Sequence, residues 1–261
     1  MGNIRLYFKY FSIRLRSEMQ YKASFFMSVF GQFLTSFATF LTIYFLFQRF
    51  SNVDGYTFSE ILICYSSVIF AFSTAECFFR GFDGFARIIG NGEFDRMMVR
   101  PRPLVLQVMG QRIEFTRIGR FLQSIAILIY ALPASGIIWT PDKIFALALM
   151  IIGETAVFTG LFIIYASICF FTLEGLEFMN VFTDGGRELG SYPIDIYGRG
   201  VLIFYTFVVP LACAQYYPFR YIIGRTSDIA ALLTPVYCFI FLIPCYFVWR
   251  LGVRHYRSSG S

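Results

Sequence analysis

One histidine, His255, stands in 261 residues, and it lies in a basic tail with no catalytic partners around it. That excludes the His-Glu-x-x-His zinc hydrolases and most histidine-centred hydrolysis. The chain has no Gly-x-x-x-x-Gly-Lys-Ser/Thr loop, so it lacks that cradle for the phosphates of ATP. It has no Gly-x-Ser-x-Gly nucleophile elbow either. The six cysteines, at 64, 77, 169, 213, 238 and 245, form no Cys-x-x-Cys pair and sit inside apolar runs. They read as small buried hydrophobes rather than disulfide partners or metal ligands. No catalytic residue and no metal site is indicated. Charge is scarce too: 15% of residues carry it, against about 25% in a soluble domain.

Apolar residues are plentiful, at 57%, and runs longer than about 18 of them recur, which is the mark of membrane helices. The ten-residue alternation of a membrane barrel is missing. The chain therefore reads as an all-α polytopic membrane protein forming a single transmembrane domain, 1–261. In residues 1–22, Ile4, Phe8, Phe11, Leu15 and Met19 share one helical side while Arg5, Lys9 and Arg16 share another. This predicts an amphipathic helix in the headgroup plane, its cations toward anionic lipid. The cations of this stretch are too dispersed for a signal peptide, so the first span is expected to stay in the protein. Six spans are expected at 23–48, 57–79, 118–138, 144–171, 201–217 and 230–249. The fifth is short and contains Pro210, and the sixth contains Pro235 and Pro244, so kinks are expected there.

With the N-terminus inside, eighteen cations fall on inner segments (5–22, 80–120, 187, 199 and 250–257). Four fall outside: Arg49, Lys143, Arg220 and Arg225. The asymmetry predicts cytoplasmic termini, and it accounts for the net charge of +6 without invoking nucleic acid. Trp139 and Trp249, the only tryptophans, fall at expected span ends, where interfacial rings are favoured. Between the second and third spans lies a cytoplasmic segment, 80–117, containing the polar stretch GNGEFDRMMVRPRP. Before it, Phe85, Ile88 and Ile89 share one side of a short helix that Asn91-Gly92 should end. The Arg-Pro-Arg-Pro run at 100–103 blocks helix. From Leu104 a polar amphipathic helix bearing Arg112, Glu114, Arg117 and Arg120 is expected to run to the third span.

Glu154 is the one acid expected near mid-bilayer, about ten residues or roughly 15 Å into the fourth span. An intramembrane carboxylate is costly; it either meets a cationic substrate or a proton, or it glues helices together. Glu60 and Glu76, nearer the ends of the second span, suit interfacial or salt-bridging roles. The 34 phenylalanines and 17 tyrosines could line an aromatic pathway, although most must face lipid or neighbouring helices.

Three stretches, in order, carry a family likeness: YFKYFSIRLRSEMQYKASFF at the start, GEFDRMMVRPRPLVLQ after the second span, and YPIDIYGRGVLIFYTFVVPLACAQYYPFRYIIG before the last. Together they resemble the permease subunits of bacterial type-2 ABC transporters, exporter permeases of about 260 residues, over nearly the whole chain. The resemblance implies a dimer of permease chains (a homodimer or a related heterodimer) in the bacterial inner membrane, bound to two copies of a separate ABC ATPase subunit. ATP and magnesium would sit on that subunit, and no cofactor on this chain. It implies a coupling helix after the second span, mapped here onto Gly84, Phe85, Ile88 and Ile89 with Glu93, Phe94, Asp95 and Arg96. Phe85, Ile88 and Ile89 would seat in the ATPase while the charges fix register. It further implies an outer re-entrant segment before the last span, at about 218–230, with Pro210, Tyr217 and Pro218 at its approach. Substrates of such exporters include drug-like (multidrug), lipid and peptide amphiphiles, with Glu154 as a possible pathway residue. An ion-gradient-driven secondary transporter is the alternative, but no inverted repeat or paired glycine-broken helix supports it. A membrane-embedded enzyme has no motif in its favour.

Overall fold

The apolar runs fold as helices. The computed structural model describes residues 3–172 and 177–257, apart from the side chains of residues 3 and 4. The Ile4 side chain of the expected amphipathic stripe and the terminal Ser-Ser-Gly-Ser at 258–261 therefore lie outside what is described. The helices are α1 (Asn3–Glu18), α2 (Lys22–Arg49), α3 (Phe58–Asp83), α4 (Phe85–Gly90), α5 (Glu93–Met98), α6 (Leu104–Gln111) and α7 (Ile118–Ala134). They continue as α8 (Pro141–Thr172), α9 (Asn180–Gly190), α10 (Arg199–Phe207), α11 (Leu211–Ala214), α12 (Tyr216–Ile222), α13 (Ile229–Leu233) and α14 (Val236–His255).

Five helical stretches are long and apolar enough to cross a membrane: Arg5–Arg49, Phe58–Gly90, Phe115–Ala134, Pro141–Thr172 and Ile229–His255. A sixth crossing requires α10 and α11–α12 to count as one span, and these meet at 88°. The short fifth span expected at 201–217 is thus a sharp bend, with Val208, Val209 and Pro210 between the two arms. Pro210 lacks the N–H that would continue the ladder.

Helix α3 is the axis of the bundle and is buried along almost its whole length, with α7 and α8 against it. Its start is fixed by a capping box: the Thr57 amide donates to Glu60 Oε2 at 2.8 Å and the Glu60 amide to Thr57 Oγ1 at 3.4 Å. Just before it, Asp54 and Gly55 take positive φ (51° and 77°), turning the chain between Val53 and Tyr56 as a tight two-residue hairpin turn requires. On α8, small residues let α14 approach closely, as membrane helices need. A Cβ on Gly153 would meet Pro235 at 2.8 Å, and one on Gly160 would meet Phe241 at 2.8 Å. On the other flank, α2 touches the bundle at the start of α7, where a Cβ on Gly119 would fall 2.2 Å from the Val29 carbonyl oxygen.

At the end holding α4 to α6, the chain closes on an aromatic cluster. Phe85 lies 5.3 Å from Phe94, 4.9 Å from Phe170 and 5.1 Å from Trp249, edge to face. Phe82 and Tyr256 extend the cluster. Trp249, expected at the lipid interface, is instead 2% exposed inside this cluster. Helix α1 rests here as well, through Tyr7, Tyr10, Phe11, Leu15 and Met19, and its Arg14 donates to the Gln111 carbonyl. Of the expected stripe, Phe8 faces outward. The helix expected to run unbroken from Leu104 into the third span stops at Gln111. Arg112 is extended, and the Glu114 amide donates to the Cys77 carbonyl at 3.2 Å.

The segment Asn180–Tyr197 carries Asp184, Arg187, Glu188 and Asp195, yet it lies along α3. The Arg187 guanidinium stands 5.3 Å from the Phe72 ring, Gly190 abuts Val68, and Asp195 accepts from the Tyr56 hydroxyl at 2.9 Å. The chain therefore climbs antiparallel to α3 before α10 begins. Arg199, which the charge count grouped with the inner cations, follows Asp195 toward the Tyr56 end.

Candidate functional site

The strongest concentration of buried charge lies at the α4–α6 end, centred on Glu76 of α3, which is 1% exposed. One turn later, Arg80 pairs with its carboxylate and also with Asp83 at 3.0 Å. The N-terminal turn of α7 brings Arg117 Nη2 to 3.3 Å and Arg120 Nη2 to 2.9 Å from the same carboxylate. Three guanidiniums thus converge on one carboxylate, while the Arg120 and Arg187 guanidiniums lie over the Phe72 ring, 5.9 and 5.3 Å from its centroid. Arg187 is balanced by Glu188 at 2.5 Å and Asp184 at 3.9 Å. Glu114 pairs with Arg112 at 2.5 Å. Burial would raise the Glu114 carboxyl, but Arg112 and Arg117 hold it below the usual carboxylate range, so it stays ionised.

This network joins α3, α7 and the 112–117 link, and Arg187 brings α9 alongside it. Removing one partner from such a buried set is costly because the remaining charges stay desolvated. Chemically it is a brace: no described group of three or more histidines, cysteines or acids could hold a metal ion, and the arginines face acids already in place.

The residues mapped to a coupling helix form α4 and α5, separated by Gly92 in the left-handed region (φ 66°). Gly84 caps the junction of α3 with α4. Phe85, Ile88, Ile89 and Phe94 turn inward onto Phe170, Trp249 and their neighbours, so they are not an exposed seat for a partner. That correction has a plain cause: a six-residue helix capping a bundle buries its apolar side against its own chain first. What faces outward is Arg87, Arg96, Met98 and Val99, with Val99 83% exposed. Glu93 and Asp95 are half-buried. Phe94 of α5 meets the Tyr256 ring edge to face at 4.9 Å, which places α5 against the chain's tail, and burial with the neighbouring Asp95 pushes the Tyr256 phenol up. Gln107 of α6 donates to the carbonyls of Met97 and Arg102, both at 3.1 Å, and so pins the Arg-Pro-Arg-Pro turn to α5.

Glu154 is fully enclosed, and the Ser67 hydroxyl donates to its Oε1 at 3.3 Å. It has no face on a surface or cleft of the chain, so the arrangement favours its role between helices over contact with substrate. Replacing Glu154 by Gln preserves shape and the Ser67 contact, and is expected to shift stability by less than about 1 kcal/mol. Thermal unfolding of the purified variant measures this, and a loss of several degrees would point to a required carboxyl.

Pro210 is buried at the bend, and Pro218 is buried within α12. The Tyr217 hydroxyl meets Thr206 Oγ1 at 3.3 Å, bracing the two arms. The break falls at Pro210, earlier than the re-entrant stretch expected at 218–230. Beside it opens a groove of about 510 Å³ lined by Thr206, Phe207, Pro210, Tyr217, Thr234 and Tyr237 among others, apolar with a few hydroxyls.

Sequence reasoning missed the Glu76–Arg117–Arg120 convergence because its members lie over forty residues apart. The available signal was an acid four residues before Arg80 within an apolar helix. In comparison with known proteins, the model of a family described as ABC-2 family transporter protein matches residues 33–260. No curated protein and no solved structure matches the chain.

Proposed function

The chain belongs to the ABC-2 family of transporter proteins, and from that premise we propose that it is the permease subunit of an ATP-driven exporter. Members of this family are the membrane components of transporters and work with an ABC ATPase subunit. In the proposed assembly two permease chains, identical or related, dock two ATPase subunits, which hold ATP and magnesium. The carrying observation is the α4–α5 platform: its inner side is rooted in the core and its outer side offers Met98 and Val99 among Arg96, Arg100 and Arg102. An apolar tip inside a charged rim suits a protein interface, with the rim fixing register. Closure of the ATPase pair would push on this platform, and the braced Glu76 cluster would carry the motion into α3 and α7.

Moving Arg199 to the far side changes the cation tally from eighteen against four to seventeen against five. The asymmetry still supports cytoplasmic termini in a bacterial inner membrane. The apolar groove at the bend supports a hydrophobic or amphipathic substrate.

Val99→Asp and Met98→Asp test the docking face. Each is expected to lower ATPase co-purification and ATP-driven transport in vesicles by roughly 30-fold, as loss of an interface hot spot does. Membrane insertion should be unchanged, because both side chains are exposed. Full transport by both variants would move the docking face elsewhere, and transport without ATP would remove the exporter reading altogether.

A further inference from the structure

A second groove lies between the start of α6 and the last turns of α14. Pro103, Leu104 and Val105 form one wall, and Tyr246, Trp249 and Val253 form the other, enclosing about 320 Å³. Arg250 and Arg254 stand at its edge, one helical turn apart and therefore on one face of α14. Both are exposed, and among the described residues neither pairs with an acid. The same end of the bundle pairs its less exposed arginines, 80, 117, 120 and 187, with acids. Two unpaired guanidiniums above an apolar, aromatic-lined slot call for a ligand with an anionic head and a hydrocarbon body.

We infer that this groove is a binding site for one anionic phospholipid, its phosphate held by Arg250 and Arg254 and an acyl chain lying between α6 and α14. Three features favour this occupant over a protein segment. One wall of the groove is the end of α14, a helix long and apolar enough to cross a membrane, which puts the groove within reach of lipid headgroups. The exposed Tyr246 sits one turn before Arg250, the order of ring and cation found at a headgroup boundary, while the buried Trp249 lines the slot. Basic pockets between membrane helices recognise phosphate headgroups through this pairing of charge and slot. The site needs only that this end face an anionic leaflet, and it stands or falls apart from the exporter assignment. Its occupation would tether the Arg-Pro-Arg-Pro turn to α14, next to the docking platform.

The two tryptophans make the test direct, since Trp139 lies far away between α7 and α8, its Nε1 donating to Leu132. In a Trp139→Phe background, Trp249 alone reports on the groove. The protein is placed in dioleoylphosphatidylcholine vesicles and titrated with phosphatidylglycerol or phosphatidylcholine bearing brominated acyl chains, which quench a nearby indole. Brominated phosphatidylglycerol should quench at a roughly 30-fold lower mole fraction, the preference expected of two interfacial arginines. The R250Q/R254Q double variant should lose that preference without loss of folding, because both side chains are exposed. Leu104→Phe, which fills the slot, should weaken quenching by both lipids. Equal quenching by the two lipids, or a preference that survives R250Q/R254Q, overturns the site. If millimolar inorganic phosphate displaces the brominated lipid completely, the arginines hold a free anion and the lipid assignment fails.

Discussion

Glu76→Gln is expected to lower the melting temperature of the purified protein by roughly 10 °C, at about 2–4 °C per kcal/mol for a chain of this size. Glutamine keeps the shape of the side chain, so packing against α7 is retained and only the charge is lost. Arg80, Arg117 and Arg120 then lose the carboxylate on which they converge, in a site where Glu76 is 1% exposed. Breaking such a buried set by deleting one partner costs about 3–5 kcal/mol. Adding Arg120→Gln to Glu76→Gln removes one stranded cation and should restore part of the loss, which a double-mutant cycle would read as coupling. A shift of only a degree or two in the single variant would show that the arginines find other counter-charges.

Gly119→Leu should loosen the N-terminal half of α2 from the bundle. A Cβ there already falls 2.2 Å from the Val29 carbonyl oxygen and 3.1 Å from the Phe33 nitrogen, so the obstacle is backbone and cannot rotate aside. Overpacking of this kind typically costs about 1–3 kcal/mol, and a rigid backbone neighbour puts this site at the upper end. The N-terminal half of α2 has few other anchors, the Tyr65 hydroxyl on the Ser36 carbonyl at 2.6 Å and Phe25 in the small α1-end cluster, whereas its C-terminal half is held by the fully buried Ile43 and by Phe47 against Phe58. The expected result is faster tryptic cleavage after Lys22 and a lower melting temperature. Gly200→Leu is the control, since nothing lies within 4 Å of a Cβ there. Equal cleavage in both variants would mean that α2 is held mainly through its other contacts.

Long apolar runs announced α2, α3, α7, α8 and α14, because burial in lipid leaves a period-independent signature that composition alone detects. The break at Gly92 followed from local chemistry, since glycine reaches positive φ cheaply; Glu60, expected in an interfacial or salt-bridging role, instead closes a capping box with Thr57. Two things were hidden. Asn180–Tyr197 looks like a polar loop, since what holds it along α3 is distant in sequence: Tyr56 donates to Asp195, and the Phe72 face receives Arg187, whose charge is balanced locally by Asp184 and Glu188. The inward turn of Phe85, Ile88 and Ile89 was hidden too, because an apolar helix side seats equally well on its own chain or on another. Only the position of Phe170 and Trp249 decides between them.

Gly81 has a mechanical consequence. A Cβ at this position of α3 would lie 2.0 Å from the Val108 carbonyl oxygen, so α6 rests on α3 main chain to main chain, with no layer of side chains between them. Side-chain layers yield by hopping between rotamers, whereas two helical backbones in contact have almost nothing to compress. Gln107 hydrogen-bonds the Arg-Pro-Arg-Pro turn to α5, so only one side-chain link stands between the Val99 end and this backbone contact. A contact of this kind passes a small displacement of α6 to α3 with little give, and a softer contact at that glycine would turn motion into slack.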